Sequence, residues 1–275
     1  MKTVVSSVLA AGLSLGAVVA SANTNVTVYQ NDFQASVIGS EWTSNSQYSW
    51  GTTETVSTTD ADRRFLGYFG GNNVTTLTLT GLPADVISLQ LEFDAYLLWS
   101  WDGNDMRSMN GVMAGPDVFG FQYGNGAGPG TRSEWTFSHG DPATQPQSYC
   151  EGAGAGCAPT TGAEERYTLG YRFQITPMEP DMATTANAPM DSVYRMTWQG
   201  AHAGSTASFS FYSRGLQVRP DLSFAYLDEA WGLDNVRVTA VLAAPIPEPA
   251  TWASMLAGVA LMAGWSWKRR DARLS

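Results

Sequence analysis

Lysine is missing from the whole interior of this 275-residue chain: none stands between Lys2 and Lys268. The sequence offers no reason for that absence, but it makes arginine the only cation of the interior. Charge of either sign is sparse, with 15 cations and 25 acids, and only two histidines and two cysteines are present. His139 falls in a loop and His202 in a turn before a strand, with no G-x-S-x-G elbow and no His-Cys cluster beside either. That argues against a hydrolytic triad and a His-based zinc site. Between the ends, no segment has a helical period and no repeat is visible. What is abundant is apolar surface, about 44% of residues, enough for the core of one large β domain or two small ones and too much for a disordered chain.

The long uncharged runs are confined to the two ends. Lys2 precedes an apolar stretch through Val19, no charge follows until Asp32, and Ala20-Ser21-Ala22 closes the run. A positive start, an apolar centre and an A-x-A site describe a secretory signal peptide over residues 1–22, with a mature start at Asn23. At the other end, residues 250–267 are uncharged and largely apolar, roughly 27 Å as a helix and just enough to cross a bilayer core. Lys268, Arg269, Arg270 and Arg273 follow at once, and Trp252, Trp265 and Trp267 suit the interfaces. Cations stay on the cytoplasmic side, so the body of the protein is expected outside. Without the cations and the one acid of the ends, the exported part holds ten arginines and 24 acids, a formal charge near −14. This argues against nucleic acid and anionic lipid as ligands. In an exported chain, Cys150 and Cys157, which flank a Gly-Ala loop, are expected to form a local disulfide.

Pro245-Ile246-Pro247-Glu248-Pro249 stands directly before the apolar run. Alternating prolines permit neither helix nor central strand, so the segment is expected to be extended and open to an enzyme. The order Pro247-Glu248-Pro249, apolar helix, Lys-Arg-Arg tail resembles the PEP-CTERM sorting signal, here over residues 244–275. The resemblance implies recognition of Pro247, Glu248 and Pro249 by an exosortase, a membrane-embedded cysteine transpeptidase or protease of Gram-negative bacteria that make extracellular polysaccharide. It implies a destination and leaves activity open.

Residues 23–243 read as short β segments divided by Gly, Asn, Asp and Pro. Residues 74–80 and 86–96 alternate most clearly, and 65–69, 117–123, 134–137, 167–175, 192–198, 205–212 and 233–242 are further strand candidates. About ten strands favour an all-β, two-sheet antiparallel sandwich of jelly-roll type. The Gly- and Pro-rich loops 124–130 and 140–162 are expected to be mobile. Asn31-Asp32-Phe33, Ser100-Trp101-Asp102-Gly103-Asn104 and Trp231-Gly232-Leu233-Asp234-Asn235 resemble jelly-roll domains of secreted PEP-CTERM proteins and, more distantly, concanavalin-like lectins. That resemblance implies first and last strands lying side by side, with acids near them, Asp32 and Asp234 here, holding a structural Ca²⁺. Gln34 departs from the pattern where an acid is common.

Other groups are open to two readings. Glu92 and Asp94 share one strand face, as in the Glu-x-Asp-x-Glu strand of concanavalin-like glucanases, but Tyr96 stands where the third acid belongs. A retaining glycosidase needs two acting carboxyls about 5 Å apart, so they are read as the polar face of a strand, with polysaccharide hydrolysis as the alternative. Asp102, Asn104 and Asp105 in one loop, and Asp228, Glu229, Asp234 and Asn235 near the last strand, suit either Ca²⁺ or solvated turns. Trp42, Trp50, Trp99, Trp101 and Trp135 suit either sugar stacking or the core. The sequence thus predicts an exported, non-catalytic protein processed by an exosortase, held in the membrane before processing and associated with extracellular polysaccharide.

Overall fold

Val74–Thr80 shows how these residues make strands: Thr75, Leu77 and Leu79 are buried, while Val74, Thr76 and Thr78 are half-buried and Thr80 is exposed. Period-2 alternation of β-branched and apolar side chains places one set against a core and the other outward. In the computed structural model, the residues described are 22–35, 38–45, 55–59, 63–109, 112–125, 130–140, 145–150, 156–174, 187–217, 229–245, 254 and 257–262. Contacts divide the chain into two units, 25–243 and the two ends together.

The first unit is all β. Its strands are β1 (Thr24–Asn31), β2 (Trp42–Ser44), β3 (Thr55–Ser57), β4 (Arg64–Phe69), β5 (Val74–Thr80), β6 (Val86–Trp99), β7 (Arg107–Met109) and β8 (Val112–Ala114). They continue with β9 (Val118–Gly124), β10 (Arg132–Thr136), β11 (Glu165–Arg166), β12 (Arg172–Gln174), β13 (Asn187–Pro189), β14 (Asp191–Ala201), β15 (Thr206–Arg214) and β16 (Glu229–Leu242). A seven-stranded sheet runs β11-β14-β6-β16-β4-β3, with β1 also on β16, and a five-stranded sheet runs β10-β9-β15-β5-β2. All pairs with a defined register are antiparallel, including the long β6–β14 and β6–β16 pairs. The first and last strands do lie side by side.

Between the sheets sits an aromatic core that includes Phe93, Phe119, Phe121, Phe209, Phe211 and Trp231. Trp101 and Trp231 are wholly enclosed, their indole N–H groups donating to Ala230 O (2.9 Å) and Ser213 Oγ (2.8 Å). Burying an aromatic with a polar tip requires that partner. A second apolar cluster of Phe65, Tyr96, Leu98, Leu169 and Tyr171 lies on the other face of the large sheet. Gly232 admits the Phe65 ring there, since a Cβ on it would stand 2.2 Å from that ring.

The structure departs from the sequence reading in two places. Of the strand expected over 167–175, only β12 (Arg172–Gln174) is seen among the described residues, because the buried Asp191 carboxylate accepts the amides of Leu169 (3.0 Å) and Tyr171 (3.1 Å) and draws that stretch away from the sheet. The loop 140–162, expected to be mobile, is pinned where it is described. Gln147 is fully enclosed and donates to Tyr149 O and Thr161 O while accepting from the Ser138 and Thr160 amides and Tyr194 OH. Next to it, Cys150 and Cys157 form the expected disulfide.

Candidate functional site

On β6, Glu92 and Asp94 point outward from the large sheet, as their spacing requires. Their cross-strand neighbours are Arg237 opposite Glu92, and Arg195 and Asp234 opposite Asp94. Opposite charges at paired positions meet directly. Arg195 grips Asp94 with two hydrogen bonds (Nε to Oδ1 3.0 Å, Nη2 to Oδ2 3.2 Å), and Arg237 Nε lies 3.0 Å from Glu92 Oε2. The register of β16 shifts between Asp234 and Arg237, where Asn235 takes φ of 50°. That extra residue is a β-bulge, a device that re-aims side chains. Asn235 Nδ2 reaches Asp94 Oδ2 (2.8 Å), and Asp234 accepts from Tyr96 OH and the Asn235 amide, both at 2.8 Å.

Asp234 is buried, and burial, reinforced by Asp94 and Asp32, pushes its carboxyl up to about 6. Asp32 itself is exposed at the end of β1, where Asn31 and Asp32 fold a turn that plugs Phe33 into the core. A shallow polar cleft of about 240 Å³ opens here, with Asn31, Asp32, Glu92, Asp94, Arg195 and Asn235 in its wall. Both carboxylates expected as a catalytic alternative are therefore in one cleft, each held by an arginine.

A second carboxylate group converges at one end of the sandwich. One oxygen from each of Asp102, Asp117 and Glu229 lies within 4.8 Å of the others, and it is the only such trio among the described residues. Asp102 and Glu229 came from the two acid-rich stretches of the sequence, whereas Asp117, at the foot of β9, carried no signal beyond lying at the end of a strand candidate. Protein donors reach all three: the Asp102 amide to Asp117 (2.5 Å), the Gln217 amide to Glu229 (2.5 Å), and Gln145 to Asp102. Asn104 is turned toward Thr136 instead, and Asp228 lies outside the described residues. Asp32 and Asp234, the pair expected to hold Ca²⁺, are not in the trio.

Neither histidine faces a cleft. His139 is enclosed between Trp99 O (2.5 Å from Nδ1) and Ser192 Oγ (2.7 Å from Nε2), and burial lowers it to about 4. His202 bonds Tyr123 OH and Gly204 O. Among the tryptophans offered for stacking, Trp42 and Trp101 are core residues, Trp99 packs on Tyr68 and Tyr171, and Trp135 packs on Tyr149. Trp50 lies outside the described residues.

The decisive feature is not in the sandwich. Residues 245–270 match the family model of the PEP-CTERM protein-sorting motif. This segment is a PEP-CTERM sorting motif. It marks the chain as an exported protein of the kind that an exosortase processes in Gram-negative bacteria. Pro247, Glu248, Pro249, Lys268, Arg269 and Arg270 fall outside the described residues, as does Ala20 of the signal-cleavage site. Ala22 is described and exposed, while Ser254 and residues 257–262 are helical. Among the described residues no helix is long and apolar enough to cross a membrane. No curated protein matches the sequence. Among solved structures, the K2 cleaved adhesin domain of Lys-gingipain is similar over 76% of this chain and 96% of its own, at 10% identity and a TM-score of 0.32. The VP1 pentamer of human polyomavirus 6 is similar over 80% and 91%, at 12% identity and a TM-score of 0.16. Likenesses at that level carry no argument about this chain.

Proposed function

We propose that this is a non-catalytic protein of the cell envelope or extracellular matrix, cut at its PEP-CTERM motif by an exosortase and associated with extracellular polysaccharide. The observation that carries the reading is the sorting motif at 245–270, beginning three residues after β16 ends at Leu242. A non-catalytic role is supported by the cleft chemistry. Glycoside hydrolysis needs a carboxylic acid with a proton to give and a carboxylate free to attack or to activate water. Here Glu92 is engaged by Arg237, and Asp94 by Arg195 and Asn235.

Intact mass tests the processing step. Protein from cells with the sorting enzyme should begin at Asn23 and lack the Trp265 and Arg270 peptides, whereas cells without the enzyme should retain them. Identical masses in both would overturn the reading. Release of reducing ends from the organism's own exopolysaccharide should be absent, and activity that disappears in Glu92→Gln would instead establish the hydrolase.

A structural Ca²⁺ belongs to the same proposal. Asp32, Asp94 and Asp234 together make one sheet face more negative, and the first two add to the upward shift that burial gives Asp234; oxygen-rich irregular sites suit this ion. A melting temperature higher in calcium than in chelator is the expected result; superimposable curves would remove the ion.

A further inference from the structure

The outer face of the five-stranded sheet carries rows of short polar side chains. Its registers align Thr43 with Thr76, Thr76 with Ser210, Ser210 with Gln122, and Gln122 with Arg132. One row of short polar side chains therefore crosses all five strands, from exposed Thr43 through half-buried Thr76, Ser210 and Gln122 to exposed Arg132. At about 4.8 Å between strands, the row is roughly 19 Å long. A second row places Thr78, Ser208 and Gly124 side by side, and a pair of exposed threonines, Thr80 and Thr206, follows. Their inward neighbours Leu77, Leu79, Phe209 and Phe121 fill the core, so the alternation fixes which side is presented. The hydroxyls already bond within the plane: Thr76 Oγ1 to Ser210 Oγ at 2.9 Å, and Ser208 Oγ to Gly124 O at 3.3 Å.

The aromatic side chain beside these rows is laid against the sheet. Tyr212, next in line on β15, lies down over Gly120, where an added Cβ would stand 2.1 Å from its ring, and the Arg132 guanidinium covers it at 4.9 Å. Glu134 is the one carboxylate on β9, β10 and β15 at this end, and it is clamped by Arg214 (Nη2 to Oε2 2.9 Å), Arg132 and Tyr212. Arg132 and Arg214 stay about half exposed. On a chain whose exported part is near −14, this end carries two cations to one acid, whereas on the opposite outer face Glu92, Asp94 and Asp234 meet the two cations Arg195 and Arg237.

The chemistry of the face narrows its ligand. A protein partner would need an apolar, aromatic centre to the patch, and the two rows contain none. Nucleic acid and anionic lipid would need far more cation. Regular hydroxyls and an amide, spaced across strands at about the length of a sugar ring, match the donors and acceptors of an extended glycan strand, and the half-exposed arginines match a carboxylate on it. We propose that the outer face of the β10-β9-β15-β5-β2 sheet is a binding surface for an extended, carboxylate-bearing polysaccharide, lying along Thr43, Thr76, Ser210 and Gln122 with an acidic group at Arg132 and Arg214. The proposal rests on the polysaccharide association inferred above and names the surface that provides it.

Co-sedimentation of the processed protein, purified from cells, with polygalacturonate and with neutral dextran tests this surface. The wild type should bind polygalacturonate at least tenfold more tightly than dextran. Ser210→Glu should abolish binding, and the milder pair Thr76→Val with Ser210→Ala should weaken it several-fold while melting as the wild type does. Arg132→Gln should weaken polygalacturonate binding and leave dextran unchanged, and Thr197→Ala, exposed on the opposite face, should change nothing. Wild-type binding that survives both Ser210 variants would overturn the surface and leave the association standing. No wild-type binding to either polymer would count against the association itself, and equal effects of Arg132→Gln on both polymers would overturn the carboxylate site.

Discussion

Two buried groups, His139 and Asp234, act on stability in opposite directions as pH changes. His139 donates from Nδ1 to Trp99 O and accepts the Ser192 hydroxyl at Nε2, so the neutral ring satisfies both partners and a second proton would face Ser192 Oγ. Its folded value of about 4 lies below the 6.5 of an exposed histidine. As pH falls through 6.5 the unfolded chain takes the proton first, and stability is lost down to about pH 4. Asp234, raised from 3.8 to about 6, is the reverse: the folded chain takes its proton first, so its stabilising effect is full below pH 3.8 and disappears as pH rises through 6. Between pH 7.5 and 5 each contributes about 1–2 kcal/mol with opposite sign. Urea midpoints in chelator should therefore be nearly level over that range in the wild type. Asp234→Asn should raise the midpoint at pH 7.5 and leave a steep fall toward pH 5, and His139→Gln should instead show a rise toward pH 5. Parallel pH profiles for all three proteins would show that neither group titrates as placed.

At the scale of elements, the strands that alternate were legible and the irregular joints were not. Residues 74–80 were read as the strand that forms, and 86–96 lengthens only to Trp99, because period-2 burial is written directly in the residue types. The bulge at Asn235 left no such mark: Asp234-Asn235 reads as one more turn-prone pair, and only pairing with β6 shows that it aims Asp234 at Tyr96 and Asn235 at Asp94. Asp117 joined the carboxylate trio for the same reason, through tertiary approach of its strand to Asp102 and to Glu229, which is far away in sequence. Gln147 is the clearest case, since a glutamine between Pro146 and Ser148 in a loop gives no hint that it will be enclosed. Its side chain makes five hydrogen bonds, two given and three taken. Removing it leaves buried donors and acceptors unmet, at about 3–5 kcal/mol. Opening the short Cys150–Cys157 ring, separated by seven positions, should cost about 2.5 kcal/mol. Chemical denaturation should accordingly find Gln147→Ala less stable than the double Cys→Ser variant. The opposite order would mean that the disulfide, and not the glutamine, holds the loop. Asn235→Gly should be tolerated at φ of 50° apart from its lost bond to Asp94, whereas Asn235→Val should lose about 1–2 kcal/mol more, because a β-branched residue resists that region.

For the molecule as a whole, the order of strands along the chain decides when the sandwich can close. β16 is the last strand in sequence but sits inside the large sheet, against β6 on one side and β4 and β1 on the other. Its Trp231, Leu233, Val236, Val238 and Ala240 are all fully buried. Until residues through Leu242 have emerged, β6 lacks a partner along one whole edge and the aromatic core lacks a wall. The sorting motif begins three residues later, so the domain is complete just as the sorting signal is reached. Two truncations separate these roles. A chain stopped after Ala244 keeps every core residue of unit 25–243 and should melt cooperatively within a few degrees of the full-length protein. A chain stopped after residue 228 loses six enclosed apolar side chains, Ala230 included, at about 1.5–3 kcal/mol for each of the larger ones, more than a domain's whole margin of about 5–15 kcal/mol can absorb together with the lost ladder. It should bind a hydrophobic dye and show no melting transition. A cooperative melt from the shorter chain would mean that β16 is dispensable, and the coupling between closing the fold and reaching the sorting motif would fall with it.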